Sequence, residues 1–144
     1  MRKFSLFLVV FGLLFIGCSS DNIDPNSCAT CNMSIDKDSH FTAHMVLLKK
    51  DIYFDDIGCA VVYIDKHNIK EYELKVKTKD THESIDAKDS FYAIDEQTPM
   101  NYGFVAYKED GDRRVSFELM QQKMLRGENM TNPKIKKQLL GDKK

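Results

Sequence analysis

The sequence predicts an α+β domain in which helices pack on antiparallel sheet, organised as two strand-strand-helix units. Three observations support this class. Several short segments alternate between apolar and polar residues, apolar residues recur at helical spacing after Asp55 and after Ser116, and turn-forming residues separate these segments. Because the two halves show no clear identity residue by residue, the repeat is one of architecture only.

The first unit begins near His40. Residues 41–47 alternate, which predicts a strand, and residues 52–54 can return beside it after the lysine pair at 49–50. Asp55 is then expected to cap a helix. Behind it the apolar residues fall at helical spacing: Ile57, Ala60, Val61 and Ile64.

Two further strands are expected between the units. Residues 73–79 alternate, but they carry so many charges that we expect an edge strand, where lysines discourage aggregation. Residues 87–94 should add one more strand.

The second unit is predicted from a turn and a cap. Residues 103–108 and 113–115 flank the pair Asp110-Gly111, which is favoured in tight hairpin turns. Ser116 can then cap a helix that ends at Gly127.

The first 17 residues predict export. Arg2 and Lys3 precede the apolar run at residues 4–16, which is shorter than the roughly 20 residues of a membrane-spanning helix. The run ends in Phe15-Ile16-Gly17-Cys18, which resembles a bacterial lipobox whose cleavage leaves Cys18 as the lipid-modified N-terminus. We therefore expect a lipoprotein of the cell envelope, on a membrane surface that faces the periplasm. A simple secretory signal is the alternative.

The mature chain is expected to have three parts. Residues 18–27 are polar and predict a flexible tether. Residues 28–126 form the folded domain, and residues 127–144 form a polar, basic tail in which Pro133 prevents one continuous helix.

Composition excludes several functions. The chain has 21 Lys and Arg against 22 Asp and Glu, a net charge of −1, so it has no positive field that would attract nucleic acid. Neither a phosphate-binding loop nor a set of nucleophile, base and orienting residue is recognisable in the sequence. We expect a binding protein and not an enzyme.

The segment Cys28-Ala29-Thr30-Cys31-Asn32-Met33 carries the strongest chemical signal. It places two thiols and a thioether within six residues, and soft sulfur donors suit Cu(I) or Zn(II) better than Mg²⁺ or Ca²⁺. Once Cys18 carries lipid, Cys28, Cys31 and Cys59 remain, an odd number for an oxidising compartment. Metal binding or redox work would explain the surplus thiol. The alternative is a disulfide between Cys28 and Cys31 with Cys59 buried.

Other uses of a Cys-x-x-Cys pair remain open. Haem attachment is excluded because Asn32, and not His, follows Cys31. A redox dithiol would be expected at the start of a helix after a βαβ pattern, and a zinc site would need Cys59 and a histidine to complete four ligands. Met33 favours copper, because a thioether binds Cu(I) well, binds Zn(II) poorly and needs no deprotonation.

Several further residues are weaker candidates. Met100 follows Pro99 in a turn, where burial is not required. Cys59 lies in the first turn of the predicted helix, and we expect it to be buried against Phe54.

Two histidines, His40 and His44, share a strand face and could reach one metal. The pair Asp55-Asp56 is explained by helix capping alone.

Four short motifs, taken in order, resemble one family. They are Cys28-x-x-Cys31-Asn32-Met33, Phe54-Asp55-Asp56-Ile57-Gly58-Cys59, Ile85-Asp86-Ala87 with Phe91-Tyr92, and Pro99-Met100. Together they resemble the nitrous oxide reductase accessory protein family, NosL, over residues 28–117. The resemblance implies paired strand-strand-helix units and a lipid-anchored copper carrier outside the cytoplasm that serves a multicopper reductase. Two positions depart from the family, which usually has Gly at position 32 and often has Met at position 60.

The sequence therefore predicts a membrane-anchored protein that binds Cu(I) through Cys28, Cys31 and Met33, with Met100 and Cys59 as further ligands. It would pass the ion by ligand exchange to a copper enzyme, which by the resemblance is nitrous oxide reductase. Two alternatives are a membrane-tethered dithiol reductant and a binding module held together by zinc.

Overall fold

The computed structural model, which describes residues 23–94 and 96–141, confirms the α+β class. The described strands are β1 (Ala43–Leu47), β2 (Lys50–Phe54), β3 (Glu73–Lys77), β4 (Ser84–Asp86), β5 (Phe91–Ile94) and β6 (Phe104–Tyr107). The helices are α1 (Ile57–Lys66), α2 (Phe117–Leu125) and α3 (Pro133–Gly141), and a 3-10 turn spans Ala87–Asp89. Within the described ranges, no helix has both the length and the apolar character that crossing a bilayer requires.

The main sheet has four antiparallel strands in the order β2-β1-β3-β4, and β5 and β6 form a separate antiparallel pair. Its register aligns apolar residues on one face, because Met45 of β1 lies opposite Ile52 of β2 and Leu74 of β3. All three side chains are buried in the core with α1. A slip of one residue would turn this face to solvent, so the apolar pattern fixes the pairing.

The prediction of an edge strand at residues 73–79 is wrong. Strand β3 lies inside the sheet, between β1 and β4. Its charges occupy one face only, since Leu74 and Val76 are buried whereas Glu73 and Lys75 are exposed. An antiparallel strand with one solvated face can be interior and still carry dense charge.

The second hairpin is also built differently from the prediction. Strand β6 pairs with β5, and the segment 113–115 does not return beside β6. Val115 instead exchanges both backbone hydrogen bonds with Tyr92 of β5, at 2.8 Å each. The Arg114 guanidinium lies 3.7 Å from the centre of the Tyr107 ring, so the loop after β6 folds back over that strand. In addition, the strand expected at residues 87–94 begins only at Phe91, after the 3-10 turn.

The predicted helix boundaries hold at α2 and shift at α1. Ser116 caps α2 through Leu119 N–H, and Gly127, with φ of +71°, follows the helix end. Helix α1 is capped by Asp56, whose carboxylate accepts a hydrogen bond from Gly58 N–H at 2.8 Å. The predicted cap, Asp55, precedes it and is free for another role.

The described part of the predicted tether contains a turn with local hydrogen bonds. Predictions for the signal peptide, for Cys18 and for the first part of the tether lie outside the described residues. Within the tether, Asp24 accepts hydrogen bonds from Asn26 N–H and the Ser27 hydroxyl, and Ser27 bridges to Ser34. The flexibility of residues 18–27 stays a prediction.

The segment after Gly127 is part of the fold. Met130 is 6% exposed, and its N–H donates a hydrogen bond to the Tyr102 carbonyl at 3.0 Å. Pro133 begins α3, consistent with the fixed φ that suits a first helical position.

We predict that Met130→Ala lowers the free energy of unfolding by roughly 2–3 kcal/mol, because it removes a buried side chain and leaves a cavity. Urea denaturation of the reduced protein measures this. Leu125→Ala is the matched control, since Leu125 is 52% exposed and its truncation should have little effect. Equal unfolding midpoints for Met130→Ala and the wild type would show that the segment after Gly127 is not anchored to the core.

Candidate metal centre

Three cysteines and one aspartate converge at the start of α1. One ligand atom each from Cys28, Cys31, Asp55 and Cys59 can be chosen so that all four lie within 4.8 Å of one another. Cys28, Asp55 and Cys59 are buried, whereas Cys31 is partly exposed. The cysteines are free thiols in this structure, which differs from the alternative of a Cys28–Cys31 disulfide. The arrangement has the ligand types and spacing of a metal site that is open on the Cys31 side.

A tight turn presents Cys28 and Cys31. Cys28 N–H donates to the Met33 carbonyl and Asn32 N–H donates to the Cys28 carbonyl, both at 2.9 Å. Asn32 has φ of +61°, in the left-handed region that favours Gly and that Asn tolerates better than most residues. The departure from Gly at position 32 is therefore compatible with the same turn.

Two hydrogen bonds attach this turn to the rest of the fold. Ala29 N–H donates to the Tyr53 carbonyl of β2 at 3.0 Å, and the Thr30 hydroxyl donates to the Cys59 carbonyl of α1 at 2.7 Å. The second bond joins the two ligand-bearing segments directly. Cys59 is thus fixed against the turn by its own backbone as well as by burial.

Asp55 was missed as a site residue because capping was taken to explain both aspartates. Asp56 alone is the cap, and the Asp55 carboxylate faces the cysteines. The Cys31 thiol donates to it, with Sγ 3.4 Å from each carboxylate oxygen. The sequence contained an indication of this role. A helix start needs only one capping residue, so the other aspartate of the pair is available for a different role.

The thiols have unequal proton affinities. A hydrogen bond from the Cys59 thiol is the main reason why the pKa of Cys28 falls to about 6. The same bond raises the pKa of Cys59 far above its usual value. Burial is the main reason why the pKa of Cys31 rises to about 11. Cys28 is therefore the sulfur of the centre that ionises first, and a metal would have to deprotonate the other two thiols.

The two candidate methionines lie on segments that border the centre. Met33 belongs to the same turn as the cysteines and is 45% exposed. Met100 is half-buried against the core, and its backbone N–H donates to Asp56 at 3.2 Å. Cys59 is fully buried, as expected, and it also belongs to the cysteine group.

The two histidines have separate acidic partners. His40 precedes β1 and pairs with Glu96, and His44 in β1 pairs with Asp51 at 2.7 Å. Neither belongs to the ligand group at the start of α1.

Comparisons with known proteins add nothing to this geometry. No family model matches the sequence, and neither the curated proteins nor the solved structures contain a significant match. The resemblance to the NosL family therefore stays a prediction.

We predict that one thiolate of the reduced, metal-free protein titrates near pH 6, because the Cys59 thiol stabilises the Cys28 anion. The far-ultraviolet thiolate absorbance, followed against pH, measures it. Cys28→Ser should abolish this step, and Cys59→Ala, which removes the hydrogen-bond donor, should move it up towards the usual value of about 8.5. Cys31→Ser is the matched control and should leave a low-pH step in place. If the step survives in Cys28→Ser, the charge is assigned to the wrong sulfur.

Proposed function

We propose that this chain is a membrane-anchored Cu(I)-binding chaperone outside the cytoplasm, which delivers copper to a copper enzyme. The observation that carries the proposal is the convergence of three thiol sulfurs at the start of α1. Thiolate sulfur is the donor that Cu(I) prefers, and two or three such ligands satisfy it. The client, nitrous oxide reductase, and the lipid at Cys18 come from sequence resemblance alone.

The protonation pattern suits the capture of a soft cation. The Cys28 thiolate is an anion before any metal arrives, so it can act as the first ligand. Binding by Cys31 or Cys59 then releases the thiol proton, and the Asp55 carboxylate already accepts the hydrogen bond from the Cys31 thiol. Asp55 is therefore placed to orient the Cys31 thiol, which is the partly exposed ligand of the group.

The difference in exposure suits release. Cys28 and Cys59 are buried, whereas Cys31 is partly exposed and Met33 is 45% exposed. An incoming ligand from a partner protein would reach the outer sulfurs first. Transfer by ligand exchange needs this order, because the ion stays bound by the inner sulfurs while the outer ones are replaced.

Two other functions each have one supporting observation. Asp55 adds an oxygen ligand, and three sulfurs with one carboxylate form a set that also fits tetrahedral Zn(II). The low pKa of Cys28 would equally suit a dithiol reductant. The experiment below separates these functions from copper transport.

Anaerobic competition with a chromogenic Cu(I) chelator tests the proposal on the wild type and on single-ligand variants. Loss of a residue that only hydrogen-bonds to a metal ligand typically weakens metal binding by roughly 10–100-fold. We expect Cys28→Ser and Cys31→Ser to weaken Cu(I) binding by more than this, because each removes a ligand. Met33→Leu and Met100→Leu should weaken it less, since they remove a neutral donor and leave the thiolates. Asp51→Asn is the surface control, because Asp51 is exposed, pairs with His44 and lies outside the cysteine group.

Three outcomes would contradict copper transport. The first is equal Cu(I) affinity in the wild type and every cysteine variant. The second is a site that selects Zn(II) and that Asp55→Asn destroys, which would favour the zinc-binding module. The third is catalytic disulfide reduction by the wild type that Met33→Leu leaves unchanged, which would favour the reductant.

Cys18→Ser should prevent lipid attachment and move the expressed protein from the detergent phase to the aqueous phase, or leave its signal peptide uncleaved. Phase partitioning with immunoblotting of the full-length chain measures this. Cys59→Ser is the control, because it removes a cysteine outside the lipobox. Persistence of the cleaved variant in the detergent phase would refute anchoring at Cys18.

A further inference from the structure

The loop at residues 98–103, here called the Met100 loop, lies against the first turn of α1. A Cβ atom placed on Gly58 would come within 2.2 Å of Cδ2 and 2.7 Å of Cγ in the Tyr102 ring. Contacts this short do not occur between real side chains, so Gly is needed at position 58 for the ring to lie where it does. Gly58 directly precedes Cys59, which places the Tyr102 ring beside the metal centre.

A single buried carboxylate joins the loop to the helix. Asp56 accepts from Gly58 N–H through Oδ1, at 2.8 Å, and from Met100 N–H through Oδ2, at 3.2 Å. The Thr98 side chain also bonds to this carboxyl, and burial raises its pKa despite these bonds. Since Asp56 has no exposed surface, its two oxygens are committed to these partners.

The loop is held from behind by the segment that follows α2. Met130 N–H donates to the Tyr102 carbonyl at 3.0 Å, and a Cβ on Gly103 would meet the Met130 Sδ at 2.4 Å. Gly103 N–H in turn donates to the Thr98 hydroxyl at 3.1 Å. The two ends of the loop are therefore closed on each other and fixed on opposite sides.

Tyr102 is a half-exposed residue beside the buried ligands. Its neighbours Cys59 and Asp56 are fully buried. Burial is the main reason why the pKa of the Tyr102 phenol is raised, and electrostatic interactions with the ligand group, of which that with Cys59 is the largest, add to it. The ring is thus within electrostatic reach of the ligand group as well as in contact with the helix start.

We propose that the Met100 loop is the cover of the metal centre, in which Tyr102 shields the ligands and Asp56 positions the loop. Both are positioning residues that set how fast a metal enters and leaves. This inference rests on the proposed function, because it requires the cysteine group to bind Cu(I). It concerns the rate of metal exchange and not the identity of the ligands.

A cover and a ligand have different kinetic effects. Ligand exchange at a thiolate-bound ion needs an incoming donor to approach the metal, and under this proposal the Tyr102 ring beside Cys59 obstructs that approach in both directions. Removing the ring should therefore raise the rates of loading and of release together, and leave the equilibrium constant nearly unchanged. Removing a ligand should instead lower the affinity.

Asp56→Asn separates the two roles of that carboxylate. Asn is as good an N-cap as Asp, so its side-chain oxygen can still accept from Gly58 N–H. The amide nitrogen would then face Met100 N–H, which places two donors together and releases the loop. Tyr102→Ala removes the ring itself. Tyr102→Phe keeps the ring and is the conservative control.

Stopped-flow transfer of Cu(I), to and from a chromogenic chelator under anaerobic conditions, is the measurement on the full chain. We expect Tyr102→Ala and Asp56→Asn to speed both loading and release, with wild-type rates in Tyr102→Phe. For Asp56→Asn the acceleration should be roughly tenfold, which corresponds to the loss of one hydrogen bond to a charged group. Unfolding of each metal-free variant is measured in parallel. If Asp56→Asn does not fold, Gly58→Ala displaces the ring while Asp56 stays intact, and the same acceleration is expected.

Two results would overturn the inference while leaving the proposed function intact. One is wild-type exchange rates in Tyr102→Ala and Gly58→Ala. The other is a loss of Cu(I) affinity in Tyr102→Ala with no faster loading, which would make Tyr102 a structural residue or a ligand. A wild-type protein that does not bind Cu(I) would refute the proposed function and this inference together.

Discussion

The carboxylate of Asp56 is the interaction on which the functional part of the structure depends. It is fully buried, and it satisfies donors from two different parts of the chain, the first turn of α1 and the Met100 loop. Burying a carboxylate costs free energy unless donors such as these are present, so the helix start and the loop must pack together to supply them. Because Asp56 serves as the cap, its neighbour Asp55 is left to face Cys31. The position of Cys59 in the first turn follows from the same cap.

The three thiols of the centre differ in burial and in pKa. Three sulfurs within a few ångströms cannot all be anions without strong repulsion, and the structure resolves this by leaving protons on Cys31 and Cys59. The Cys59 proton stabilises the Cys28 thiolate, and the Cys31 proton points at Asp55. A cation supplies the positive charge that these two protons supply in its absence. The four ligand residues could therefore hold a cation in place of these two protons.

Sequence patterns predicted the class of fold, the start of α2 and the burial of Cys59, because these depend on local periodicity and capping. They failed at β3, where charge density indicated an edge although only one face of the strand is charged. They failed again at residues 113–115, where a favoured turn pair was outweighed by pairing between Val115 and Tyr92. Strand order is decided by contacts distant in sequence, which local patterns do not encode.

The site was predicted in part for the same reason. The spacing of Cys28 and Cys31 is local and was recognised as a ligand pair. Their meeting with Cys59 and Asp55 requires the turn to dock on α1, through bonds such as Thr30 to the Cys59 carbonyl. No periodic pattern in the sequence predicts that hydrogen bond. The roles of Met130 and Tyr102 were not predicted, because they depend on close contacts of these side chains with the backbone at Gly103 and Gly58.

The docking of the ligand turn on α1 has a thermodynamic consequence. The turn has no regular secondary structure. It is held by an isolated bridge between Ser27 and Ser34, by one hydrogen bond each to the backbone of β2 and of α1, and by hydrogen bonds of its two thiols with Cys59 and Asp55. An ion held jointly by the turn and the helix would act as a removable cross-link between them. By mass action it would stabilise the closed arrangement in proportion to the logarithm of its free concentration. The turn that carries Cys28 and Cys31 would then be more ordered when the ion is bound than when it is absent. A partner protein could distinguish the loaded from the empty molecule by this difference in order.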